Sequence, residues 1–107
     1  MSRANFSTPT GDCFSAAGAF ATRKEILDYP DDYRLVHGNI QSLNQEEPIN
    51  HAWVEEGQIV HEVSSGRHLT YAKAAYYEHH GVNYVRSYTP EEALLLSVRH
   101  LHWGPWD

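Results

Sequence analysis

The sequence predicts an α+β domain in which an N-terminal helix packs on a small, mainly antiparallel sheet. Three observations carry that prediction. An Ala-rich stretch with helical propensity runs from Cys13 to Leu27, a hairpin pattern with Gly57 at its turn spans residues 51–63, and a well-capped helix follows Thr89. The predicted order is helix, strand, hairpin, helix, strand, helix. At 107 residues the chain has the length of one domain, 1–107.

Residues 1–11 read as an extended N-terminal segment leading to Asp12, a candidate helix cap. Phe14, Ala17, Phe20 and Ala21 then recur at three- and four-residue steps and give one apolar face. "DYPDD" ends this helix, because Pro30 disfavours helical backbone in the residue before it. "YRLVHG" is a short strand with His37 near its end. "NIQSLNQEEPIN" follows as a polar loop, long for so small a domain.

"HAWVEEGQIVHEV" is the hairpin and "SSGRH" a loop. "LTYAKAAYYEHHG" reads as a helix ending at Gly81, although its tyrosines also suit a strand. "VNYVRSY" is a strand. In "TPEEALLLSVRHLH", Thr89 caps, Pro90 takes the first helical position, and Glu91 and Glu92 fill the first turn. Leu94, Leu95 and Val98 are expected to face the core, Gly104 and Pro105 to stop the helix, and Trp103 and Trp106 to cover a core edge.

Composition narrows the function classes. Hydrophobic residues make up 41% and charged residues 21%, ordinary for a globular protein. No run approaches the roughly 18 apolar residues of a membrane span, and "MSRANFSTPTGD" lacks the apolar centre of a secretory signal. The single cysteine cannot form an internal disulfide, which suits a reducing, cytoplasmic location. A net charge of −6 argues against nonspecific nucleic-acid or membrane binding. The histidine pairs His79–His80 and His100–His102 lack the paired ligand spacing of zinc motifs, so neither metal nor cofactor is expected.

Chemistry centres on Cys13. With Asp12 as the cap, the thiol sits in the first helical turn, where the backbone dipole and unpaired N–H groups favour thiolate and could hold an oxyanion. Gly11 permits close approach of a substrate, and Asp12 adds a neighbouring carboxylate that opposes the thiolate.

His51 opens the hairpin. A two-residue turn at Glu56–Gly57 sets it opposite Glu62, with Cβ atoms about 4.5–5.5 Å apart. A three-residue loop, Glu55–Gly57, sets it opposite His61 instead, and a one-residue slip reverses every face. Trp53 shares the face of His51 and walls the site or packs the core. Asn39 and Gln41, in the long loop, are candidate substrate contacts.

Taken together, "GDCFSAAGAF", "YRLVHG" and "HAWVEEGQIVHEV" resemble the papain-like cysteine fold in its transglutaminase-like arrangement. Members carry a helix-starting cysteine, a strand histidine in a His-x-Trp context and an acid on the next strand. The segment "YAKAAYYEHHGVNYVRSYTPEEALLL" and the ending "HWGPWD" are similar to small phage and bacterial proteins of this type. The resemblance implies Cys13 as nucleophile, His51 as base and Glu62 as its orienter, acting on a protein or peptide. The acid is usually Asp, and no glutamine precedes Cys13 as an oxyanion donor.

The expected activity is acyl transfer: hydrolysis of a peptide, isopeptide or side-chain amide, or transamidation. The alternative is a non-catalytic protein-binding module, for example a phage factor that blocks a host protein through an acidic, aromatic surface.

Overall fold

A computed structural model describes residues 9–41, 47–64 and 66–106. The first helix, α1 (Pro9–Ala21), begins earlier than its sequence suggests. Proline at the first helical position lacks only an N–H that would have no partner there. Asp12 therefore lies inside the helix rather than capping it, residues 9–11 of the expected extended segment are helical, and the rest of that segment lies outside the described residues. The helix stops where the Thr22 hydroxyl donates to the Gly18 carbonyl at 2.9 Å. Arg23 is extended, so the single helix expected through Leu27 is two, the second being the one-turn α2 (Lys24–Leu27). A 3₁₀ turn at Pro30–Asp32 leads into the sheet.

The sheet has five antiparallel strands in the order β4-β3-β2-β1-β5. They are β1 (Tyr33–Ile40), β2 (Ile49–Glu56), β3 (Ile59–Glu62), β4 (Leu69–Ala72) and β5 (Asn83–Tyr88). Period-two alternation sends Leu35, Ala52 and Val54 toward α1, where they pack with Cys13, Phe14, Ala17, Phe20 and Ala21. It sends Val36, Ile40, Trp53 and Val60 the other way, against Tyr76. The helix α3 (Lys73–His80) carries that tyrosine. Both faces of β1 and β2 are thus covered, and β2 is buried from His51 to Glu55.

Two of the sequence expectations fail in register. The hairpin turns at Gly57–Gln58, with Gly57 at φ +59°, and pairs Glu56 with Ile59, Glu55 with Val60 and Val54 with His61. Neither anticipated pairing forms. Putting glycine first in the two-residue turn spares Glu56 a positive φ. The stretch expected as one helix before Gly81 splits: Leu69–Ala72 pairs with β3, and only Lys73–His80 is helical. Gly81, at φ +55°, ends α3 as expected.

β5 pairs with β1 through a bulge opposite His37–Asn39. Within it Tyr84 holds φ +55°, a left-handed conformation that costs a non-glycine residue roughly 1–3 kcal/mol.

The last helix, α4 (Pro90–His100), has the predicted start. The Glu92 N–H donates to the Thr89 hydroxyl, and the Thr89 N–H donates to the Glu92 carboxylate. It ends at Leu101, in left-handed conformation, three residues before Gly104. Leu94, Leu95 and Val98 are exposed, Leu95 to 68% and Val98 to 65%. The helix is seated instead through Pro90 and Ala93, whose small volume permits a close approach.

The chain then folds back as expected. Trp103 lies over Gly18, where a Cβ would come within 2.2 Å of the indole, and Trp106 packs 5.0 Å from the His37 ring and 5.1 Å from Tyr88. Among the described residues no helix is long and apolar enough to cross a membrane.

Candidate active site

α1 presents Cys13, Ala17 and Ala21 at four-residue steps to the sheet, which buries the thiol to 1% exposure. His51 lies near the start of β2, opposite Gly38 of β1, and is 4% exposed. On its other side β3 pairs with β2 only from Val54 to Glu56. No described ladder therefore separates the two faces beside His51, and the first turns of α1 can meet its ring.

Continuing the β2–β3 register sets Glu62 opposite Trp53, one position diagonal from His51. The pairing is displaced by two residues from the one that joined His51 to Glu62. A displacement of two preserves the face, and a diagonal neighbour remains within reach of long side chains. His51 Nε2 thus donates to Glu62 Oε2 at 2.8 Å. The expected partner is reached although the expected register is not.

With Nε2 engaged, the remaining ring nitrogen is Nδ1. This atom is buried and short of a formed hydrogen bond, while the thiol lies close enough to act on the ring's charge. Burial opposes protonation of His51, but the interactions with Cys13 and Glu62 outweigh it and push the imidazole up to about 9. Burial likewise opposes ionisation of Glu62. The donors from His51, Tyr76 and Ser64 prevail and hold its carboxyl below the usual range. At neutral pH the pair is an imidazolium and a carboxylate.

Stability should follow that pair. Because the folded pKa of His51 is raised, its contribution is complete below pH 6.5 and disappears as pH rises through about 9. Because that of Glu62 is depressed, its contribution is present above pH 4.5 and disappears as pH falls through the lower folded value. Urea midpoints are expected to be highest between these limits, and His51→Gln should flatten the alkaline limb.

Two further groups complete the site, and neither was singled out in the sequence. The Tyr76 hydroxyl donates to Glu62 Oε1 at 2.5 Å and the Ser64 hydroxyl to Oε2 at 3.3 Å. Burial, and then the charge of Glu62, push the Tyr76 hydroxyl's pKa up, so it stays a donor. The His80 ring lies tilted, 4.5 Å from that of Tyr76, and burial, then His79, lowers its pKa. The available signal was the Tyr76–Tyr77 doublet, whose members reach different acids: the Tyr77 hydroxyl donates to Glu55. Tyr76→Phe should cost about 1–3 kcal/mol and move the acidic limb of stability to higher pH. Urea titrations across pH 3–6 would measure both.

The other sequence candidates divide. Trp53 is fully buried, with its ring 5.9 Å from that of His51, so it packs the core and walls the site at once. Its Nε1 donates to Glu55 at 2.9 Å. Gly11 and Asp12 lie in the first turns of α1, and their side-chain surroundings fall outside the described residues. Asn39 belongs to β1 rather than to a loop. It pairs with Asn50 and lines a cavity beside the site. Gln41 follows β1, and its N–H donates to the His80 carbonyl at 2.7 Å, which ties β1 to the end of α3. His37 lies within β1, buried against Phe14, Tyr88 and Trp106.

The oxyanion expectation also changes. With α1 starting at Pro9, the Cys13 N–H is in register for the Pro9 carbonyl, and the unpaired N–H groups belong to the preceding turn. Among the described residues no group of three or more His, Cys, Asp or Glu side chains is placed to hold a metal ion. Comparison with known protein families, curated proteins and solved structures yields no match.

Proposed function

We propose that this protein is a cysteine-dependent acyl-transfer enzyme of papain-like, transglutaminase-like architecture, acting on a protein or peptide in a reducing, cytoplasmic compartment. The observation that carries the reading is one imidazole, His51, held by Glu62 at 2.8 Å and facing the thiol of Cys13. This is the nucleophile, base and orienter arrangement of covalent catalysis. The positively charged ring favours negative charge on sulfur.

The thiolate attacks a substrate carbonyl, forming a carbon–sulfur bond, and the leaving amine takes a proton from His51. Water or an amine then attacks the thioester while His51 accepts its proton, and the thiolate departs. The N–H groups of the first turn of α1 supply candidate donors to the oxyanion.

One observation favours a second reading, a non-catalytic protein-binding module. Cys13 is 1% exposed, and none of the three cavities described, of about 560, 380 and 310 Å³, is lined by Cys13, His51 or Glu62. Iodoacetamide labelling of the native protein against pH separates the two. Alkylation of Cys13 well below pH 8, with circular dichroism unchanged, is the expected result. A thiol silent until denaturation would favour the binding module, as would a Cys13→Ala protein that keeps its biological effect.

A further inference from the structure

The helix α4 presents to solvent an apolar face of the kind that a helix normally buries. Leu94, Leu95 and Val98 stand exposed on it, and Leu101, just past its end, is 88% exposed. The contacts that seat α4 on its own chain lie on the other side, at Pro90 and Ala93. Single surface leucines are ordinary, whereas a cluster of exposed aliphatic side chains on one helix marks an interaction surface.

The charged residues within this face indicate what covers it. Glu91, Leu95 and Arg99 recur at steps of four residues, so they form one line along the exposed side of the helix. An acid and a base therefore stand at equal distances from a central leucine, each about 6 Å away along the axis. Among the described residues, no ion pair engages either Glu91 or Arg99.

Such a line is complementary to its own reverse. When two α4 helices lie antiparallel across a twofold axis at Leu95, each Glu91 meets Arg99 of the other copy, and the two Leu95 side chains meet at the centre. Leu94 and Val98 then widen the apolar contact beside that centre. A parallel arrangement would set acid against acid and base against base. Isologous pairing is the commonest symmetry of homo-oligomers, and matched charges fix its direction.

We propose that α4 is a self-association surface on which two copies of this chain pair as an antiparallel, twofold-symmetric dimer. One helix face per copy places the interface among the smallest specific ones, below about 1,200 Å² in total. The dimer is accordingly reversible, with a dissociation constant in the micromolar range. The pairing is independent of the acyl-transfer reading, since it uses no residue of the candidate active site.

Sedimentation equilibrium of the full chain in reducing buffer, from micromolar to near-millimolar concentration, tests the proposal. A reversible monomer–dimer equilibrium is expected. Leu95→Glu should weaken it by at least about tenfold, because it puts two carboxylates at the centre of the interface. Glu91→Lys or Arg99→Glu alone should weaken it by about fivefold, since each sets like charges together. The two swaps combined in one chain should restore it. All three positions are exposed, and urea midpoints of the variants confirm that each stays folded.

A monomer at every concentration would overturn the proposal and leave the face to a different partner. A larger assembly, a dimer that survives Leu95→Glu, or charge swaps that fail to compensate each other would overturn it as well.

Discussion

His51→Ala should slow alkylation of Cys13 at neutral pH by about 10²-fold or more, the scale of a lost general base. The effect has two sources. In the proposed mechanism the ring that takes the thiol proton is gone, and so is the positive charge that favours thiolate. The substitution also strands Glu62, whose carboxylate would keep donors only from Tyr76 and Ser64. Breaking a largely buried ion pair by removing one partner costs about 3–5 kcal/mol. Stability and reactivity must therefore be measured on the same sample, with alkylation timed below the urea transition. A folded His51→Ala protein that alkylates at the native rate would remove His51 from the base role.

Trp53→Ala should destabilise the domain by roughly 3–5 kcal/mol, a large part of the roughly 5–15 kcal/mol typical of such domains. Trp53 is fully buried between the sheet and α3. Its ring centroid lies 5.4 Å from Tyr76 and 6.0 Å from Tyr77, and its Nε1 donates to Glu55. Glu55 is itself buried and also receives the Tyr77 hydroxyl and, at 3.1 Å, the Lys73 ammonium. The substitution thus opens a cavity and takes one donor from a buried carboxylate. Trp53→Phe separates the terms: it keeps most of the packing and should lose only about 1–3 kcal/mol for the donor. Urea unfolding of the three proteins gives the comparison.

The two effects are coupled through α3. Adjacent tyrosines on that helix reach Glu62 and Glu55, so the helix clamps the catalytic candidate and the central core strand together. Loosening either contact should reach the other, and a Trp53→Ala, Tyr76→Phe double substitution should be non-additive.

Local chemistry was legible wherever the chain signals to itself. The capping box at Thr89–Glu92, the stop at Gly81 and the apolar face of Phe14, Ala17, Phe20 and Ala21 are interactions among residues close in sequence, and each stands as read. The pairing of His51 with Glu62 was also within reach, because a strand keeps its faces under a two-residue displacement. The outward face of α4, the split of Leu69–His80 into strand and helix, and the start of α1 at Pro9 were not. Each depends on which distant surface happens to be adjacent. Leu95 and Val98 carry a core-like pattern with no sheet beneath them, and Leu69–Ala72 becomes a strand because β3 offers an edge. The sequence by itself determined the cap at Thr89, the stop at Gly81, the antiparallel hairpin and the residues that supply thiol, imidazole and carboxylate. Only the tertiary structure decided that Tyr76 holds Glu62 and that the thiol is enclosed, since hydrogen bonding and burial at those atoms arise from contacts between segments that no local pattern encodes.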